Sequence, residues 1–305
     1  MHNYFTDREN GPVARTVQSI NPRVWAGLAA VITSLETSAA FGYRFPKNCP
    51  DGQVVCGVDE EALAANVQAE MPGLAWPLET SRVTEQAYFP PAEYAPPTLL
   101  ILDLLEYVHA RIAKPIAREY HKYYSHTHIV FDVEAGQLEF RDDVNRVFAR
   151  NGVAYELCSN GQVIRLLPPV LGQSITQTLF RTGDQILDNM LEESRGKFFS
   201  PNPLIRREAL ERLWDCWERL KSTAANDKKQ SVAKLLDNAS EEPTFRNVLE
   251  VEAKALTEIG NTRLIRHHEM SQVPVIDSAH IDYLFHRLFA LMQLILNKNA
   301  KQPRQ

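Results

Sequence analysis

Apolar residues recur along most of this chain at three- and four-residue steps, the period of helices that turn one face to a core. Val24, Leu28, Val31, Ile32 and Leu35 set that rhythm behind Asn21-Pro22, which predicts an amphipathic helix capped by Asn21 with Pro22 in its first turn. A second helix is expected after Asp59, over EEALAANVQAEM, ending at Pro72-Gly73. Five prolines between Trp76 and Pro97 exclude a regular element and read as a linker draped over a surface. From Leu99 to Tyr124 the pattern predicts a further helix, kinked or interrupted at Pro115. HIVFDV then reads as a strand, followed by a turn at Ala135-Gly136, a helix over RDDVNRVFARNG, and a hairpin centred on Asn160-Gly161.

Beyond residue 176 the pattern is helical almost throughout. Helices are expected over QILDNMLEESRGKFF, over LIRREALERLWDCWERLKS behind Asn202-Pro203, over DKKQSVAKLLDNAS, over TFRNVLEVEAKALTEIGNTRLIRHHE behind Pro243, and over SAHIDYLFHRLFALMQLILNK. In the last of these, Ile281, Leu284, Phe285, Leu288, Phe289, Leu291, Met292 and Ile295 cover more than half the circumference. Such a helix must be buried on more than one side, and a dimer interface is one way to do it. Trp214 and Trp217, three apart on one helix face, read as core anchors. The fold class expected is mainly α, a helical bundle with a small β-hairpin, winged-like middle module. Three segments are drawn: 1–98, helical and loop-rich; 99–175, helix plus hairpin; and 176–305, a helical bundle.

The chain has 305 residues, 44% apolar and 23% charged, with 33 Lys plus Arg against 38 Asp plus Glu. Those values exclude a disordered tail, a collagen-like fibre and a histone-like polycation. A net charge of -5 argues against coating nucleic acid over the whole surface but leaves room for a local basic cleft. No run of about 18 uncharged apolar residues occurs and the first residues are polar and acidic, so neither a membrane span nor a secretory signal is expected. A cytoplasmic location follows as the expectation. Cys49, Cys56, Cys158 and Cys216 are too scattered for a disulfide framework and match no common zinc spacing. Cys49 and Cys56 bracket a Pro-Asp-Gly turn, so a short hairpin could bring the two thiols together; ordinary thiols are the default reading.

Neither a Gly-rich phosphate loop, a G-x-S-x-G elbow nor H-E-x-x-H is present, which removes the usual cradles of nucleotide motors, dinucleotide oxidoreductases and two hydrolase classes. Two histidine groups remain. His126 and His128 would share one face of a strand and could hold a metal with His121 or Asp132; the competing reading is a solvated, aromatic-rich helix-to-strand junction, and no spacing places a fourth ligand. The favoured reading carries no metal and no cofactor. The second group is Arg263, Arg266, His267, His268 and Glu269 at the end of one long helix and before another. Imidazole titrates nearest neutrality and suits proton transfer at a ribose 2′-hydroxyl, and guanidinium is a permanent forked donor for a pentacoordinate phosphate. The competing reading is that these cations complement the helix dipole and pair with Glu269, Glu258 or Asp277. Arg206 and Arg207 could extend a basic surface, offset by Glu208 and Glu211.

The order Arg263 through His268, then MSQVPVIDS, then the apolar helix from about Ala279 resembles the HEPN superfamily, whose signature is R-x4-6-H ahead of a loop and a long terminal helix. The resemblance spans roughly residues 176 to 299, and the upstream NRVFARNGVAYELCSNGQVIRLL is similar to small modules that precede such domains in abortive-infection proteins. It implies a metal-independent endoribonuclease of prokaryotic phage defence, of abortive-infection or toxin type. In that case His268 is the acid or base, Arg263 stabilises the phosphorane, and Arg266 or His267 positions the phosphate, with Asn261 and Glu269 as substrate-binding positions. A second register pairs Arg266 with His267. RNA, a second copy of the chain across a two-fold cleft, and an antitoxin or regulatory partner are the implied partners. The alternative is a non-catalytic RNA- or protein-binding module of the same architecture.

Overall fold

The computed structural model describes residues 4–82, 91–167, 175–176, 178–263, 265 and 274–299. The chain divides into two compact units, Met1–Pro168 and Pro169–Gln305. Among the described residues it is mainly α, with ten α-helices and only two-stranded antiparallel sheets.

The first unit runs α1 (Phe5–Asn10), α2 (Pro22–Thr37), a 3-10 turn (Ala40–Tyr43), β1 (Pro46–Asn48), β2 (Val55–Val58), α3 (Glu60–Glu70), β3 (Ser81–Arg82), β4 (Ala92–Glu93), α4 (Thr98–Arg111), β5 (Lys114–His121), β6 (His126–Asp132), α5 (Val133–Arg150), β7 (Tyr155–Leu157) and β8 (Val163–Arg165). Asn21 caps α2 as expected, accepting from the Val24 N–H at 3.0 Å, and Asp59 caps α3 from Ala62 at the same distance. The core gathers Trp25, Leu28 and Ile32 of α2, Val67 of α3, Leu104 and Val108 of α4, and Phe140, Val144 and Phe148 of α5, none more than 1% exposed. Asn145 of α5 fastens the last hairpin to this core by donating to the Leu157 carbonyl at 2.9 Å and accepting its N–H at 2.8 Å. That hairpin turns where expected, with Gly161 at φ +83°.

Three expectations fail in this unit. The Trp76–Pro97 stretch, read as a linker without a regular element, carries β3 paired antiparallel with β4, at Ser81–Arg82 and Ala92–Glu93, which contain no proline. The other two fail for related reasons. The helix over Leu99–Tyr124 stops at Arg111, and Lys114 to His121 form β5 instead. Proline disfavours helical geometry in the residue before it, and Pro115 is tolerated in a two-stranded sheet, where it pairs with Phe131. The turn at Ala135-Gly136 is instead the first turn of α5, which Asp132 caps by accepting from Ala135 at 3.0 Å. Gly136 is there for a close approach: a Cβ on it would lie 2.4 Å from the Lys114 backbone nitrogen.

The second unit contains α6 (Gln185–Phe198), α7 (Pro203–Leu220), α8 (Lys228–Ala239), α9 (Pro243–Thr262) and α10 (Ser278–Asn299). α6 lies along α7, and α10 packs against α7, α8 and α9. Trp214 and Trp217 anchor the interior as expected; their indole N–H groups donate to the Leu256 carbonyl at 3.1 Å and to Thr257 Oγ1 at 3.3 Å. All eight apolar positions of α10 are buried, so its broad apolar surface is covered among the helices of its own unit. Arg206 belongs to no basic surface. It is fully buried, donating to the carbonyls of Ser200 at 3.0 Å and Pro201 at 2.8 Å and to Ser278 Oγ, with Asp282 3.8 Å away.

Candidate functional site

Among the described residues, four side chains that could hold a metal ion gather in the first unit, where two hairpins meet. β1 ends at Asn48 and the chain turns through Cys49-Pro50-Asp51-Gly52, with the Gly52 N–H donating to the Cys49 carbonyl at 3.1 Å. Proline second and glycine fourth suit such a turn, which leaves Cys49 at its start, buried. β2 packs against β6, bringing this turn to the β5–β6 hairpin. In that hairpin His121 is the cross-strand partner of His126, and His128 is two residues further along the same face.

The result is a cluster in which Cys49, His121, His126 and His128 each offer a donor atom, all within 4.8 Å of one another. Cys49 Sγ and His121 Nδ1 lie 3.2 Å apart. The ring centroids of His126 and His128 are 5.4 Å from that of His121 and 5.5 Å from each other. Behind the cluster, Asp51 Oδ2 is 3.3 Å from His121 Nε2, and Asp51 Oδ1 accepts from the Tyr124 hydroxyl at 3.0 Å. Tyr124 also stacks on His126. Desolvation, with His121 and His128 close by, pushes the His126 pKa down and favours its neutral ring. His126 Nε2 and His128 Nε2 are both buried without a hydrogen-bond partner. Strand spacing placed His126 and His128 on one face and offered His121 or Asp132 beside them; His121 joins them, Asp132 caps α5 instead, and Cys49, distant in sequence, was missed. Cys56 lies outside this set of four and donates to the Lys47 carbonyl at 3.4 Å.

In the second unit, α9 ends at Thr262, and Arg263 is its C-cap, exposed, with its N–H donating to the Ile259 carbonyl at 3.0 Å. Asn261 is exposed in the last turn of the same helix. Arg266, His267, His268 and Glu269 lie outside the described residues. His280 is exposed near the start of α10, and His286 packs edge-on against Phe198.

Residues 3–181 match the family model AbiJ N-terminal domain 4, which spans more than half of the chain and takes in both hairpins of the cluster. The chain belongs to this abortive-infection family, and so to phage defence of that type. The match ends four residues before α6 begins, and no comparison shows a HEPN domain in the C-terminal region. Comparison with curated proteins and with solved structures gives no match. No described helix is long and apolar enough to cross a membrane.

Proposed function

We propose that the protein is an abortive-infection effector in which the family-matched first unit senses or regulates and the second unit is a metal-independent endoribonuclease acting as a homodimer. The observation that carries this reading is the division of the chain. The match to an abortive-infection N-terminal domain stops at residue 181, leaving a separate helical unit in which α9 ends at an exposed arginine ahead of the long apolar α10. In this reading His268 takes the proton from a ribose 2′-hydroxyl, whose oxygen attacks the phosphorus as the bond to the 5′-oxygen breaks; that oxygen takes a proton from solvent, and His268 returns its own to solvent afterwards. Arg263 offsets the charge on the phosphorane, and Arg266 or His267 holds the scissile phosphate, with Asn261 and Glu269 contacting the RNA. The products carry 2′,3′-cyclic phosphate and 5′-hydroxyl ends.

The test is incubation of the full chain with cellular RNA in EDTA, followed by analysis of the ends. His268→Ala is expected to slow cleavage by roughly 10²–10⁴-fold, the usual contribution of a positioned acid or base, and Arg263→Ala should act in the same direction. Loss only in the Arg266→Ala, His267→Ala variant would move the site by one register. Retention of RNA without cleavage would leave a binding module, the alternative use of the same residues.

A further inference from the structure

We propose that Cys49, His121, His126 and His128 bind one zinc ion that clamps the β1–β2 turn to the β5–β6 hairpin. Three observations converge on it. First, the donor set is right: one thiolate and three imidazoles are ligands for a borderline divalent cation, and four protein ligands with no open position make a structural site. A tetrahedral zinc site places its donors roughly 3.3–3.6 Å apart, and these already lie within 4.8 Å of one another, the Cys49–His121 pair at 3.2 Å. Small side-chain rotations close the remainder. Second, two of the histidines carry a ring nitrogen with no other use: Nε2 of His126 and of His128 is buried with no hydrogen-bond partner, a costly arrangement that a bound cation relieves where that nitrogen is the ligand. Asp51 on the far nitrogen of His121 is the carboxylate that orients a ligating imidazole and fixes its tautomer.

Third, the strands of the hairpin layer are only partly covered, and the polar contacts of Asp51 with Tyr124 and His121 lie beside the cluster. No residue of β1, β2, β5 or β6 is fully buried, so apolar burial within these strands contributes little to keeping the two hairpins together. Small modules without enough core are commonly fastened by metal or disulfide, and here the thiols are unpaired. Binding converts the Cys49 thiol to thiolate and releases its proton to solvent, with the imidazoles entering neutral.

The inference is independent of the nuclease reading, because its readout needs no RNA. Full-length protein, purified without a histidine tag, is expected to carry about one zinc per chain by elemental analysis. Exchange for cobalt(II) should give a thiolate-to-cobalt charge-transfer band and the intense visible bands of a tetrahedral ion. Cys49→Ser should abolish the charge-transfer band and His128→Gln should weaken zinc binding at least tenfold, whereas Cys56→Ser should keep both signals. If Cys49→Ser fails to fold, X-ray absorption at the zinc edge of the unaltered protein decides: one sulfur and three nitrogen neighbours are expected, and a shell without sulfur overturns the site. Folded protein that holds no zinc and develops no charge-transfer band with cobalt also overturns it, as does a Cys56→Ser variant that loses the band as completely as Cys49→Ser.

Discussion

The hairpin layer around Cys49 and the helical unit around Trp214 place polar groups in opposite ways. In the helical unit, buried polar side chains sit among several protein partners: Trp214 reaches the Leu256 carbonyl, Ser194 Oγ donates to the Ala209 carbonyl at 2.8 Å, and Arg206 reaches two carbonyls and a serine through its Nη atoms, with Asp282 3.8 Å from its Nε. In the hairpin layer, two imidazole nitrogens are shielded from water and left without a partner, although the strands that carry them have no fully buried residue. A polar group with its acceptors in place is explained by the fold. One that is desolvated and unpaired points to something the chain does not itself supply.

The sharpest way to break this contrast is in the helical unit. Trp214→Ala removes a fully buried indole and its hydrogen bond and should destabilise the unit by about 3–5 kcal/mol. Hydrogen exchange should show the loss in α7 and α9, with the cobalt spectrum of the first unit unchanged. Next in size is Gly136→Ala, which sets a methyl group against the Lys114 backbone and should cost about 1–3 kcal/mol. Exchange should then rise in α5 and β5, at the base of the hairpin that carries three of the histidines.

A smaller effect concerns pH. Arg219, donating from Nε at 2.7 Å and Nη2 at 2.9 Å, holds the Asp184 carboxyl below the usual aspartate range, and the Leu187 and Ile186 N–H groups add to this. A lowered folded-state pKa means that the unfolded chain binds the proton more readily. Asp184 therefore stabilises the helical unit above about pH 4, the ordinary aspartate value, and this contribution fades as pH falls through the folded-state pKa. Melting temperature against pH should flatten in Asp184→Asn. The smallest change expected is Tyr120→Ser on β5: the ring is 62% exposed, and unfolding should shift by no more than about 0.5 kcal/mol. A much larger loss would mean that β5 is held by its own apolar contacts, which would weaken the contrast.

What could be read in advance follows the range of the interactions. Caps at Asn21, Asp59 and Asn202 act within three residues, and all three were legible, as was the hairpin at Asn160-Gly161. Pro115 and Gly136 were legible as irregularities but not in kind, because each answers to a neighbouring element: β6 for the proline and the Lys114 backbone for the glycine. His126 and His128 share a face by strand periodicity alone. Cys49 joins them only through packing of β2 on β6, a contact between distant parts of the chain that no local spacing encodes. The breadth of α10 was visible as eight apolar positions, but the sequence carried no sign that the helices of its own unit would cover them all.

β6 ends at Asp132 and α5 begins at Val133, with no connecting loop. Strand and helix therefore form a bent arm with no slack at the elbow. Six residue steps of strand lead from His126 to Asp132, a reach of about 20 Å at the usual strand rise. The far half of the arm is seated in the core by Phe140, Val144 and Phe148. By simple leverage, a tilt of roughly ten degrees at the elbow would carry the histidine end of a strand that long by about 3 Å.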